Sequence, residues 1–80
     1  MQRAEIFSKL NEIFCDVFDD TSITVKENTV AQDIEDWDSL SHISLISAIE
    51  SEFHFKFEMK DVLGMKDVGE MVDIIERSID

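Results

Sequence analysis

Asp36-Trp37-Asp38-Ser39-Leu40-Ser41-His42-Ile43 is the stretch on which the fold turns, because it carries a loop into an amphipathic helix and leaves one serine at the junction. Asp38 has the character of an N-cap, its carboxylate free to accept hydrogen bonds from first-turn N–H groups that have no partner inside the helix. Ser39 then falls in the first turn, at the positive end of the helix dipole and beside exposed N–H donors. A phosphate attached to its oxygen meets a ready anion site there, so the position suits a phosphodiester.

Downstream, Ser39 to Phe53 gathers Ile43, Ile46, Ile49 and Phe53, joined by Leu45, on one side and Ser44, Ser47 and Ser51 on the other. That is a helix with one buried and one wet face. Upstream, Ile6, Phe7, Leu10, Ile13, Phe14, Val17 and Phe18 recur at helical spacing from Arg3 to Phe18. Cys15 lies on the opposite side with Ser8, Asn11, Glu12 and Asp16, an exposed or marginal thiol with nothing positive nearby to activate it. Between the two helices no helical period is sustained. The segment from Asp19 to Asp38 reads as a long ordered loop pinned by Ile23, Val30 and Ile34, with one short helical turn at Thr29 to Gln32.

After the second helix, His54-Phe55-Lys56-Phe57 reads as a loop, since four residues with no second run to pair with make no sheet. Phe57 is expected to face the core. A short helix from Glu58 to Leu63 should follow, ended by Gly64 in a left-handed conformation. The last helix starts near Lys66 or Asp67, with Val68, Met71, Val72, Ile75 and Ile79 inward and Glu70, Asp73, Glu76 and Arg77 outward; Gly69 weakens its first turn. The fold class is therefore all-α, a four-helix bundle of three main helices and one short one with a long first loop, in a single domain of residues 1–80.

A chain of 80 residues buries only about 60% of the surface its unfolded form exposes, which leaves no room for an enclosed active site. Its formal charge of −12 repels nucleic acid and anionic lipid headgroups, and basic protein surfaces are its natural partners. The sole cysteine rules out an internal disulfide or a cysteine metal cluster, and the start of the chain lacks a secretory pattern. A cytoplasmic monomer with no metal site and no membrane insertion is expected.

Asp38-Ser39-Leu40 opening such a helix, with apolar helices before and after it, resembles the acyl carrier protein family over nearly the whole chain. The resemblance implies that Ser39 carries a covalent 4′-phosphopantetheine arm, derived from coenzyme A, whose thiol holds acyl or aminoacyl groups as thioesters. A separate phosphopantetheinyl transferase with magnesium at its own site would install it, and acyl-activating or acyl-transferring enzymes with basic docking surfaces would use it. The chain itself is then not an enzyme, and Ser39 is a substrate, because a serine hydroxyl with no base is a poor nucleophile. No catalytic residue is expected.

Docking is expected along the second helix and the loops flanking it, with Asp36, Leu40, Ile43, Ser44, Glu58 and Asp61 as partner-binding candidates. His42, Ile46 and Ile49 are the candidates for an acyl cavity; His42 reads first as a core-edge histidine with a satisfied hydrogen bond, and alternatively as a side chain that narrows the cavity in favour of short or polar cargo. Trp37 reads as an aromatic packing the loop against the bundle. The fatty acid carriers have acidic residues along the exposed helix face, whereas Ser41, Ser44 and Ser47 stand here until Glu50 and Glu52. That departure points to a specialised carrier in a lipid, polyketide or surface-polymer pathway rather than the housekeeping one of fatty acid biosynthesis.

Two other readings keep the same helices. In one the chain is a small acidic interaction module in which Ser39 is never modified. In the other it is a peptidyl carrier domain of nonribosomal synthesis, although such domains usually have a glycine-rich lead-in where Asp36-Trp37-Asp38 stands. An EF-hand fails because Asp33 to Ser44 lacks the central glycine and terminal glutamate. A hydrolase built from Ser39, His42 and an aspartate fails for want of an oxyanion hole.

Overall fold

A computed structural model describes residues 1–79 as four α-helices: α1, Arg3–Phe18; α2, Ser39–Phe53; α3, Met59–Gly64; and α4, Val68–Ile79. Among the described residues there is no strand, so the all-α expectation and the arrangement of three main helices and one short one hold. Helices α1 and α2 have the bounds that the apolar period sets. Their C-terminal caps are Asp19 and His54, both left-handed at φ 50° and 59°. The cap expected at Gly64 is absent: Gly64 sits inside α3, and Met65 ends that helix in an extended conformation.

The core joins Ile6, Leu10, Phe14 and Phe18 of α1 to Leu45, Ile49 and Phe53 of α2 and Val68, Met71, Val72 and Ile75 of α4. Phe55 and Phe57 both pack against it, edge to face with each other at 4.8 Å. The stripe of α2 departs from expectation at Ile43, which is 65% exposed. The buried line of α2 passes through Leu45, Ile49 and Phe53 with His42 at its end, and Ile43 lies about 100° round the helix from His42.

The long loop is pinned by Val25 rather than Val30, which is only half-buried. Ile23 and Ile34 pack against the core as expected. Asn11 on α1 fixes the strand-like run between them, its Nδ2 donating to Ile23 O at 3.1 Å and its Oδ1 accepting from Val25 N at 2.8 Å. Its neighbour Cys15 is half-buried, with Sγ 3.6 Å from the same Ile23 carbonyl. The short turn is a 3-10 helix at Ala31–Asp33, displaced from Thr29 to Gln32; Thr29 is buried ahead of it, its Oγ1 accepting from Lys26 N at 2.8 Å.

Loop and α4 are sewn together. Val68 N donates to Thr29 O and Gly69 N to Glu27 O, both at 2.9 Å, so loop carbonyls satisfy first-turn donors of α4. A Cβ on Gly69 would lie 2.7 Å from Glu27 O, which is why glycine stands in this turn at some loss of helix propensity. Arg3 closes the same corner. Its guanidinium donates to Glu27 at 2.7 Å, to Asp73 at 2.8 Å and to Glu76, and lies over the Phe7 ring.

Candidate functional site

Asp38 turns the chain from loop to helix. It is extended, and its Oδ1 accepts from Leu40 N at 3.1 Å and Ser41 N at 2.9 Å, while Ser41 Oγ accepts from Asp38 N at 2.8 Å. This reciprocal capping box holds the Asp38 carboxyl below the ordinary carboxylate value, chiefly through the Ser41 N–H and next through the Ser41 hydroxyl. Ser41 Oγ also donates to Asp36 O at 2.8 Å, tying the loop to the helix start.

Ser39 therefore sits on a rigid corner. Its side chain is exposed and makes no hydrogen bond among the described residues. The anion site expected around it is smaller than a bare helix terminus would offer. Asp38 has already taken the N–H groups of Leu40 and Ser41, and His42 N donates to Asp38 O at 2.9 Å, which leaves the Ser39 N–H as the open donor of this turn. A phosphodiester on Ser39 Oγ would thus stand largely in water, where its charge stays solvated.

Beside Ser39 lies a surface cavity of about 350 Å³. Trp37 and His42 form one wall, Met65 and Met71 supply apolar surface, and Lys66 and Asp67 line its side toward α4. The Trp37 indole packs edge-on to Phe14 at 5.2 Å, lies against Phe18 at 6.3 Å and stacks on His42 at 5.9 Å. Its Nε1–H donates to His42 Nδ1 at 3.0 Å. The packing role read for Trp37 and the satisfied hydrogen bond of His42 are thus one interaction.

Of the cavity candidates, His42 lines this space and Ile46 and Ile49 do not. Ile49 is fully buried in the core and Ile46 nearly so, because both lie more than a turn further along α2, beneath neighbouring helices. The partner-binding candidates divide as well. Leu40, at 79% exposed, joins Ile43, Ser44 and Asp36 on the surface around Ser39. Glu58 is exposed on the lead-in to α3, 3.6 Å from Lys60, whereas Asp61 is half-buried and pairs with Arg77 at 3.4 Å. Sequence reasoning missed Met59 and Leu63, 72% and 78% exposed on α3 one turn apart, because a six-residue helix has too few positions to define a face.

Three comparisons bear on this site. A family model described as a phosphopantetheine attachment site matches residues 8–75. An acyl carrier protein of Coprothermobacter proteolyticus is 30% identical over 84 aligned residues, covering 99% of this chain and 96% of that one. The solution structure of a holo acyl carrier protein from Geobacter metallireducens superposes with a TM-score of 0.86 at 38% identity, over 91% of this chain and 84% of that one.

Proposed function

The chain belongs to the acyl carrier protein family, whose members bear covalent 4′-phosphopantetheine, and on that premise we propose that Ser39 Oγ is the atom to which the arm is joined. The observation that carries this reading is the exposed Ser39 hydroxyl, which makes no hydrogen bond among the described residues, between two capped neighbours and beside a cavity lined by both the loop and α2. The residues present fit the group: an open Ser39 N–H, the Lys66 ammonium and the His42 ring lie around the cavity, and nothing must move to admit a tether. The arm supplies the thiol chemistry when attached. The protein's part is to hold its root on a rigid corner and present it.

Residues 1–80 work on this reading as one carrier unit that is a substrate of other enzymes. They do so as a monomer in the cytoplasm, a setting that suits a lone half-buried cysteine. A phosphopantetheinyl transferase and acyl-handling enzymes dock on Leu40, Ile43 and Ser44, flanked by Asp36 and Glu58. The charge of −12 attracts basic surfaces and speeds encounter. Uncharged Ser41, Ser44 and Ser47 on α2 support a specialised lipid, polyketide or surface-polymer pathway over the general one.

Incubation with coenzyme A, magnesium and a promiscuous phosphopantetheinyl transferase, followed by intact-mass measurement, tests the assignment. Wild type should gain one phosphopantetheine and Ser39→Ala none. An unchanged wild-type mass would return the chain to the class of unmodified interaction modules.

A further inference from the structure

A group tethered to Ser39 meets the adjoining cavity at high effective concentration, so the walls of that cavity decide which cargo rests there. The cavity is small for a ligand site, at about 350 Å³. Its wall toward the bundle is the Trp37–His42 pair, and the indole is held by four things at once: the rings of Phe14, Phe18 and His42, and the hydrogen bond to Nδ1. Behind it Phe14, Leu45 and Ile49 are fully buried, and none of them lines the cavity. Met71, itself in the core, also lines the cavity, but an apolar chain extending toward Phe14 would displace the indole packed on that ring and break its hydrogen bond.

The pair also sets the polarity of the wall. Because Nδ1 accepts from Trp37, the neutral imidazole carries its proton on Nε2, and that donor has no partner among the described residues. Lys66 adds a second donor at the cavity and Asp67 an acceptor-rich carboxylate. The lining thus sets the apolar surface of Met65, Met71 and the indole beside hydrogen-bonding groups that reward cargo with polar atoms close to the thioester.

We propose that the Trp37–His42 pair is the specificity element of this carrier, closing the cavity beside Ser39 against the core so that short or polar acyl groups rest there and long plain chains stay in solvent. The inference rests on Ser39 bearing the tether. It concerns what the tether carries, and it makes Trp37 and His42 selectors of cargo rather than parts of the attachment chemistry.

The test loads the protein through a promiscuous transferase with butyryl- or octanoyl-coenzyme A, with intact mass confirming each product. Failure to load either would sink the Ser39 assignment and not the selector. On the loaded forms, cleavage of the thioester by hydroxylamine is timed, and the amide resonances of Leu45 and Ile49 are compared with those of the form carrying the bare arm. The wild-type octanoyl thioester, its chain left in solvent, should be cleaved at least as fast as the butyryl one, with the core amides unmoved. Trp37→Ala should slow octanoyl cleavage about tenfold relative to butyryl as the chain gains the vacated space. A wild-type octanoyl thioester already protected about tenfold, with Leu45 and Ile49 shifted, overturns the proposal and needs no variant. Where Trp37→Ala fails to fold by circular dichroism, His42→Ala serves in its place, since it removes the acceptor and the stacked ring; a folded variant with no gain in octanoyl protection also overturns it.

Discussion

Asp38 and Ser41 cap each other: Asp38 Oδ1 accepts from Ser41 N at 2.9 Å, and Ser41 Oγ accepts from Asp38 N at 2.8 Å. Ser39, which lies between them in the chain, owes its fixed position to this exchange, since its own side chain makes no hydrogen bond among the described residues. Ser41→Ala removes the reciprocal half and the tie to Asp36 O, and is expected to destabilise the fold by about 1 kcal/mol in urea denaturation. The rate of phosphopantetheine transfer should fall in parallel, because the helix start frays around the acceptor hydroxyl.

Acid should act on the same corner. The Asp38 carboxyl titrates below its ordinary value when folded, so its contribution to stability is complete above that ordinary value and is lost as pH falls through the lower, folded one. Glu27, held down first by the Arg3 guanidinium, and Asp20, held down first by the Ser22 hydroxyl, have the same sign. Urea midpoints measured from about pH 5 down to about pH 2.5 should therefore decline. Asp38→Asn, which keeps a capping oxygen but no titrating group, should flatten part of that decline.

Gly69→Ala sets two magnitudes against each other. Alanine gains about 1 kcal/mol of helix propensity. Against that, its Cβ would stand 2.7 Å from the Glu27 carbonyl oxygen, a backbone atom that also accepts from Gly69 N and cannot swing aside. Overpacking of this kind costs about 1–3 kcal/mol, so the net effect should be destabilising, read as a lower urea midpoint with an unchanged slope. A stabilised variant would mean that the joint between loop and α4 is loose.

Much of this was legible beforehand because α1 and α2 carry their own signals. Their apolar periods span each helix even though Ile43 falls off the buried line of α2, and Asp38 announces the second helix, so both sets of bounds agree with the structure. What escaped reading is tertiary. Asn11 looks like a solvated residue on a polar face until the loop backbone is laid beside it, and Gly69 looks like a weak helix position until Glu27 O arrives. Gly64 was expected to be left-handed by residue type alone, yet His54 and Asp19 take that conformation, because a cap is chosen by where the chain must turn. At the site, Ser39 and Asp38 could be placed from their local motif. Membership of the cavity could not, since Met65, Lys66 and Asp67 come from a distant segment that only folding brings to Trp37 and His42.

The α2 surface offers the sharpest separation between holding the fold and meeting a partner. Ile43 and Ile49 are chemically identical and six residues apart, but Ile43 is 65% exposed and Ile49 is fully buried. Ile49→Ala should cost about 2–5 kcal/mol, because it leaves a cavity among Phe14, Leu45 and their neighbours. Ile43→Ala and Leu40→Ala should each change stability by no more than about 0.5 kcal/mol. If these two side chains meet the transferase beside Ser39, the same substitutions should lower kcat/KM for arm transfer by about fivefold or more, the loss of an apolar contact worth at least 1 kcal/mol. Added salt should weaken transfer to wild type and to both variants alike, since the apolar contact is insensitive to screening while the −12 charge is not. Equal transfer rates for Leu40→Ala, Ile43→Ala and wild type would remove this face from the interface and leave attraction to basic surfaces as the means of docking.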